Sequence, residues 1–131
     1  MRVLALDYGA SRTGVAVSDE TGTIASPLTV IERVNTEPGM RRLLDVIDEQ
    51  MPTTIVVGIP VSLDARENAQ ARAVREFIAL LEAATEIPVA TYDERFTTKV
   101  AQQRGGSSGL DARAAALILE DYLRSVARDD G

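Results

Sequence analysis

Three acidic positions have the residue type and the placement that metal-assisted hydrolysis requires. Asp7 closes an apolar segment near the amino terminus, Asp93-Glu94 follows another apolar segment, and Asp111 precedes an apolar helical pattern. Three carboxylates brought together repel one another unless a cation lies between them, and oxygen-only ligands favour Mg²⁺ or Mn²⁺. One or two such ions can activate water and stabilise the leaving oxygen in phosphodiester cleavage.

Each acid also has an ordinary structural explanation. Asp7 could accept backbone N–H bonds, Asp111 could be a helix N-cap, and Asp93-Glu94 could be solvated or paired with Arg95. The position of Asp7 favours the functional interpretation, because a charge in an apolar strand is costly unless it is compensated.

Glycine, arginine and threonine residues near the acids are candidates for contacts to phosphate. Gly9 permits close approach to the turn after the first acid, and Arg12 could clamp a phosphate. Thr97 and Thr98, which follow Arg95, stand at a predicted helix start, where backbone N–H groups favour anions. A plain hairpin turn and plain helix capping explain the same residues as well.

The composition excludes several other kinds of chemistry. The chain has 131 residues with no cysteine and no histidine, so disulfides, Ser-His and Cys-His mechanisms are excluded and structural zinc is disfavoured. No apolar run approaches the roughly 20 residues of a membrane span, and the amino terminus does not resemble a signal peptide. We therefore expect a cytoplasmic protein without a membrane partner. The net charge of −6 argues against nonspecific nucleic-acid binding but permits a local arginine-lined cleft.

Hydrophobic patterning predicts five strands and four helices that would position these residues. The strands are predicted over 2–8, 13–18, 23–33 (broken at Pro27), 53–59 and 88–92, and the helices over 38–50, 64–84, 97–104 and 111–127. Both faces of the first strand are apolar, which predicts a central strand. If the first and last strands are parallel neighbours, Asp7 and Asp93-Glu94 meet at their carboxyl ends.

The element order predicts a single α/β domain over residues 1–131. It is the order of a ribonuclease-H-like fold, a mixed five-stranded sheet with three antiparallel strands, then β-α units, and helices on both faces. We expect Met51 to lie on the buried face of the first helix and Asp64 to be the N-cap of the second. Leu80 and Ala84 are predicted to lie in the buried stripe of that second helix.

Five sequence blocks, taken together and in order, resemble the YqgF/RuvX family. They are Asp7–Ala16 (DYGASRTGVA), Val56–Pro60 (VVGIP), Asp93–Thr98 (DERFTT), Asp111–Ala115 (DARAA) and Ile118–Leu123 (ILEDYL). The resemblance covers nearly the whole chain.

The resemblance implies a ribonuclease-H-like, metal-dependent nuclease that matures the 5′ end of pre-16S rRNA on the assembling small ribosomal subunit. It implies that Asp7, Glu94 and Asp111 are the catalytic, metal-binding acids, with Glu94 preferred over Asp93. Two alternatives remain open. One is a resolvase of branched DNA, which would need a two-fold dimer. The other is a non-catalytic binding module, suggested by the net acidity. The sequence leaves monomer or homodimer undecided.

Overall fold

Five strands and three helices make up the part of the chain that the computed structural model describes, which is residues 1–60, 68–94 and 112–130. The strands are Val3–Asp7 (β1), Arg12–Ser18 (β2), Ala25–Glu32 (β3), Thr54–Ile59 (β4) and Val89–Asp93 (β5). The helices are Glu37–Gln50 (α1), Ala69–Ala84 (α2) and Arg113–Asp130 (α3). The short helix predicted over 97–104 lies outside the described residues.

The strands form one mixed sheet in the order β3-β2-β1-β4-β5. β2 is antiparallel to β1 and to β3, whereas β4 is parallel to β1 and to β5. The prediction that β1 is central is confirmed, because side chains from Val3 to Leu6 are fully buried on both faces. The mixed five-stranded sheet predicted from the element order is also confirmed.

Helices cover both faces of the sheet, as predicted. One face packs against α1 and α2 through large side chains that include Leu4, Leu6 and Phe77. The other face packs against α3 through smaller ones, among them Ala5 and Ala16. Successive residues of a strand point to opposite faces, so the alternation of large and small side chains in β1 and β2 assigns each helix to its face. Among the helices of the described ranges, none combines the length and apolarity that crossing a bilayer requires.

The predicted break of the third strand at Pro27 is instead a register shift within a continuous strand. Val15 pairs with Thr29 and Ala16 with Pro27, so Leu28 is an extra residue on β3. Because β3 is an edge strand, its proline interrupts no further ladder of hydrogen bonds.

The predicted N-cap of α2 at Asp64 is wrong. Asn68 caps the helix, and its side chain accepts a hydrogen bond from the Ala71 N–H at 2.8 Å. Leu80 was also assigned wrongly to the buried stripe and is 52% exposed, because it lies about 100° around the helix from the buried Leu81. Ala84, at the helix end, is exposed as well.

The prediction that Met51 lies on the buried face of α1 is wrong too. Met51 is the C-cap, in a left-handed conformation with φ 50°, and its N–H bonds to the carbonyl of Ile47. Its side chain is 77% exposed, because the helix ends one residue before it. The buried face of the helix is supplied by Leu43 and Ile47, as the spacing predicted.

Candidate active site

The carboxyl ends of β1, β4 and β5 lie at one edge of the sheet, since these strands are parallel. Asp7 ends β1, and Leu6 pairs with Val57, so the next residue of each strand places Asp7 level with Gly58. The condition stated for Asp7 to meet Asp93-Glu94, that the first and last strands are neighbours, does not hold, because β4 lies between them. An acid that follows β5 must therefore reach across β4 to approach Asp7.

Glu94 makes this crossing over Gly58. Gly58 pairs with Tyr92, and Glu94, two residues further on, lies on the same face of the sheet. The Cγ and Cδ atoms of Glu94 each lie 3.1 Å from the position that a Cβ on Gly58 would occupy. Adjacent strands are about 4.8 Å apart, and Gly58 lies beside Asp7 on the neighbouring strand. The Glu94 carboxyl group, next to Gly58, therefore lies roughly one strand spacing from Asp7.

Asp7 and Glu94 are half-buried residues whose carboxyl oxygens are mostly shielded. Oδ1 of Asp7 and both carboxylate oxygens of Glu94 are shielded from solvent. Burial, followed by the nearby charge of Asp93, raises the pKa of Glu94 from 4.5 to about 7. A positive charge placed beside this carboxyl group would therefore stabilise its ionised form.

Asp93 lies differently from Glu94. It is the last residue of β5 and pairs with Ile59, so its side chain points to the face opposite that of Tyr92 and Glu94. Of the two adjacent acids, Glu94 is the one on the face of Asp7.

The turn between β1 and β2 is held by side-chain contacts of Thr13, a residue not among the predicted site residues. The buried hydroxyl of Thr13 accepts a hydrogen bond from the Gly9 N–H at 3.4 Å and donates one to the Gly9 carbonyl at 3.3 Å. A Cβ on Gly9 would overlap the carbonyl oxygen of Arg12, so glycine is needed for this close approach. The available sequence signal was a threonine at the start of a largely apolar segment.

An aromatic pair anchors the same turn to the opposite helical layer. The ring of Tyr8 stacks on that of Phe77 in α2, with centroids 4.7 Å apart. Burial and then the charge of Glu76 raise the pKa of Tyr8, so its phenol stays neutral near pH 7. The residue after Asp7 is thereby fixed to the helical scaffold.

Arg12 lies at the same edge of the sheet as Asp7. Gly14 pairs with Asp7, and Arg12, two residues earlier in β2, lies on the same face as Gly14. Its side chain is exposed. The structure thus brings two of the predicted substrate-binding residues, Gly9 and Arg12, to the edge that carries Asp7.

The remaining predicted site residues lie outside the described part of the chain. These are Asp111, Arg95, Thr97 and Thr98. The last helix begins at Arg113, two residues later than predicted, and its first turn is closed by a bond from the Ala116 N–H to the Ala112 carbonyl.

The two acids of the described site fit a hard divalent cation. Within residues 1–60, 68–94 and 112–130, no three acidic side chains come together as a metal-binding group. Asp7 and Glu94 nevertheless supply buried carboxylate oxygens from neighbouring positions, which are the donors that Mg²⁺ and Mn²⁺ prefer. The bare backbone at Gly58 leaves room for the longer of the two side chains.

Two solved structures have the same architecture. Thermus thermophilus RuvC in complex with a Holliday junction aligns with a TM-score of 0.58 and 23% identity, covering 97% of this chain and 96% of that one. The Fowlpox virus resolvase in complex with Holliday junction DNA aligns with a TM-score of 0.57 and 12% identity, covering 96% and 99%. At these identities the likeness concerns the fold, and it confirms the ribonuclease-H-like class predicted from the element order.

Sequence relatives are closer. A protein of Desulforudis audaxviator is 37% identical over 134 residues, covering 95% of each chain. One of Maridesulfovibrio salexigens is 35% identical over 132 residues, covering 94% of this chain and 98% of its own. Both carry the name "Putative pre-16S rRNA nuclease". Residues 1–125 match the family described as "RuvX: Holliday junction resolvase", and the chain belongs to this RuvX family.

Proposed function

We propose that the protein is a metal-dependent nuclease that processes the 5′ end of pre-16S rRNA during ribosome biogenesis. The observation that carries the proposal is a pair of carboxyl groups with solvent-shielded oxygens, those of Asp7 and Glu94, on one face and at one edge of the sheet. The names of the relatives support the choice of substrate. Such a substrate places the protein in the cytoplasm, on the assembling small ribosomal subunit.

In this proposal Asp7, Glu94 and Asp111 hold one or two Mg²⁺ or Mn²⁺ ions. A bound ion of this kind supplies an activated water and stabilises the charge on the leaving oxygen. Asp7 is fixed in direction by the central strand, and Glu94 is directed towards it across β4. Shielding of Asp7 Oδ1 and of both Glu94 oxygens from solvent strengthens the electrostatic interactions that these carboxyl groups would make with a bound ion.

Other residues of the chain are proposed to bind the nucleic acid. The turn at Gly9 allows the sugar-phosphate backbone to approach Asp7 closely, and the guanidinium of Arg12 neutralises a phosphate oxygen there. Arg95, Thr97 and Thr98 are proposed as additional phosphate contacts. Arginine suits this role because its planar fork can bind two phosphate oxygens at once.

A cleavage assay tests the proposal. A 5′-extended pre-16S rRNA fragment and a four-way DNA junction are incubated with Mg²⁺, Mn²⁺ or EDTA. The enzymes are wild type, Asp7→Asn, Glu94→Gln and the control Asp45→Asn, which makes the same chemical change at an exposed position of α1. We expect cleavage of the rRNA with either metal, none in EDTA, and about a hundredfold loss in the two site variants. Full metal-dependent cleavage by Asp7→Asn would contradict the proposal.

The family description favours one second candidate, the resolution of branched DNA. A resolvase makes two symmetric cuts, which requires a two-fold dimer. Cleavage of the four-way junction in preference to the rRNA, by a protein that sediments as a dimer, would select this activity. Silence on both substrates from folded protein that also binds no divalent metal would instead select a non-catalytic assembly factor.

A further inference from the structure

We propose that Gly58 is a positioning residue for the active site, because its lack of a side chain lets the Glu94 carboxyl group lie across β4 on the face of Asp7. The inference rests on the proposed function, since the position of Glu94 affects metal binding only if Glu94 is a ligand. Gly58 itself would touch neither metal nor substrate.

The strand order creates the need for such a residue. β4 separates β1 from β5, so a carboxyl group that follows β5 reaches the level of Asp7 only by passing over β4. Gly58 is the residue of β4 that is level with Asp7 and pairs with Tyr92. The crossing therefore takes place above Gly58.

The contact at this crossing is too close for a side chain. A Cβ on Gly58 would lie 3.1 Å from Cγ and 3.1 Å from Cδ of Glu94, whereas carbon atoms pack at about 3.5–4.0 Å. Alanine would have to push the carboxyl group away by several tenths of an ångström. Metal ligands must be held to within about 0.5 Å of their productive position, so a displacement of this size uses up most of that tolerance, and we expect it to weaken binding.

A second neighbour offers a competing explanation for the glycine. Cδ1 of Ile118, a fully buried residue of α3, lies 2.7 Å from the same Cβ position. Gly58 could therefore serve only the packing of α3. Against this, α3 packs over alanines at Ala5 and Ala16 on the same face of the sheet, so the helix accepts a Cβ elsewhere beneath it. At position 58 the Glu94 carboxyl group lies beside the Ile118 methyl group, so the two contacts must be tested separately.

Separating the two explanations requires a background in which the helix contact has been removed. Ile118→Ala deletes the methyl group that an alanine at position 58 would meet and leaves the contact with Glu94 in place. The set is therefore wild type, Gly58→Ala, Ile118→Ala, the double variant Gly58→Ala/Ile118→Ala, and Glu94→Gln. Ile55→Val is the matched control, because it perturbs the same strand on the face that packs against α1 and α2.

Mn²⁺ affinity is measured by calorimetry at pH 8, and the melting temperature of each variant is measured alongside. We expect Gly58→Ala to bind Mn²⁺ about tenfold more weakly than wild type, and the double variant about tenfold more weakly than Ile118→Ala. The double variant should lose less in melting temperature than the two single changes predict together, because its steric conflict with the helix is gone. Ile55→Val should lower the melting temperature and leave Mn²⁺ affinity within about threefold of wild type.

The outcomes separate failure of this inference from failure of the proposed function. If the double variant binds Mn²⁺ as tightly as Ile118→Ala, the glycine serves helix packing and the inference is overturned while the metal site stands. If Glu94→Gln binds Mn²⁺ as tightly as wild type, Glu94 is not a ligand, and the proposed metal site is overturned together with the inference. Weaker binding by both the double variant and Glu94→Gln supports the inference.

Discussion

The hydroxyl group of Thr13 braces the turn after Asp7 by bonding to both backbone groups of Gly9. It accepts from the Gly9 N–H at 3.4 Å and donates to the Gly9 carbonyl at 3.3 Å. Thr13 is fully buried and directly precedes Gly14, the residue that pairs with Asp7. One buried side chain thus connects the end of β1 to the start of β2 at the candidate active site.

Replacing Thr13 with valine should destabilise the protein and reduce cleavage. Valine has nearly the same shape but cannot form either bond, so the two Gly9 backbone groups lose a partner at a cost of about 1–3 kcal/mol. Urea denaturation measures this loss. Thr13→Ser keeps the hydroxyl group and should retain most of the stability. Equal stability of Thr13→Val and wild type would mean that the turn is held by other contacts.

Gly9→Ala adds only one methyl group but should clearly reduce activity. The added Cβ would overlap the carbonyl oxygen of Arg12, which is a backbone atom and moves only with the turn. We expect a loss of about 1–3 kcal/mol in stability and a lower rate of RNA cleavage, because the turn also sets the position of Arg12. Ala10→Ser, at the neighbouring exposed position, is the control. Unchanged cleavage by Gly9→Ala would mean that the conformation of this turn does not matter for substrate binding.

Patterning predicted the sheet well because each strand carries its own signal. Val3–Leu6 are apolar on both faces, and this alone indicated the central strand that the structure confirms. The start of α2 was predicted poorly, because Asp64 and Asn68 are both good N-cap residues and the sequence between them contains no glycine or proline to exclude a helix. Leu80 was mispredicted for a similar reason: Leu80 and Leu81 are equally hydrophobic, so the sequence does not decide which of them faces the sheet.

The candidate site was predictable in its residue types but not in its geometry. Asp7 was conspicuous as a charge at the end of an apolar strand, whereas the choice between Asp93 and Glu94 depended on the strand register. The part played by Gly58 depends on strand order, which is a long-range property. Nothing local to a glycine between Val57 and Ile59 indicates that an acid from another strand crosses it.

Without divalent metal, burial of Glu94 should make stability fall as pH rises. Its pKa of about 7 in the folded protein exceeds the ordinary 4.5, so between these values the folded state binds more protons than the unfolded state. Stability should therefore decrease from about pH 4.5 to about pH 7 and level off above that. At roughly 1.4 kcal/mol per pH unit, the upper limit of the decrease is about 3 kcal/mol.

Glu94→Gln should abolish this part of the pH dependence. Urea denaturation of both proteins in EDTA at pH 5, 6, 7 and 8 measures the difference in the free energy of unfolding. We expect the variant to gain on wild type as pH rises, because glutamine has no charge to bury. Parallel curves for the two proteins would mean that the Glu94 carboxyl group ionises in the folded state as easily as in water.

Asp93 and Glu94 should respond differently to loss of charge. Asp93→Asn removes the second cause of the raised pKa of Glu94, so that pKa should fall while remaining above its ordinary value, because burial is the larger cause. Mn²⁺ affinity at pH 8 should stay within about threefold of wild type in Asp93→Asn and fall at least tenfold in Glu94→Gln. If Asp93→Asn weakened Mn²⁺ binding more than Glu94→Gln, the metal would be assigned to the other face of β5.

Divalent metal should stabilise the folded protein through Asp7 and Glu94. A ligand that binds only the folded state adds about 2.7 kcal/mol at one hundred times its dissociation constant. Mn²⁺ or Mg²⁺ should therefore raise the melting temperature of wild type, and the increase should be reversed by EDTA.

The variants Asp7→Asn and Glu94→Gln should show little increase in melting temperature with metal, while Asp45→Asn, on α1, should respond like wild type. The response should also weaken from pH 8 to pH 6, because protons compete with the metal for Glu94 near its pKa of about 7. An equal increase in wild type and both site variants would place the bound metal elsewhere on the protein.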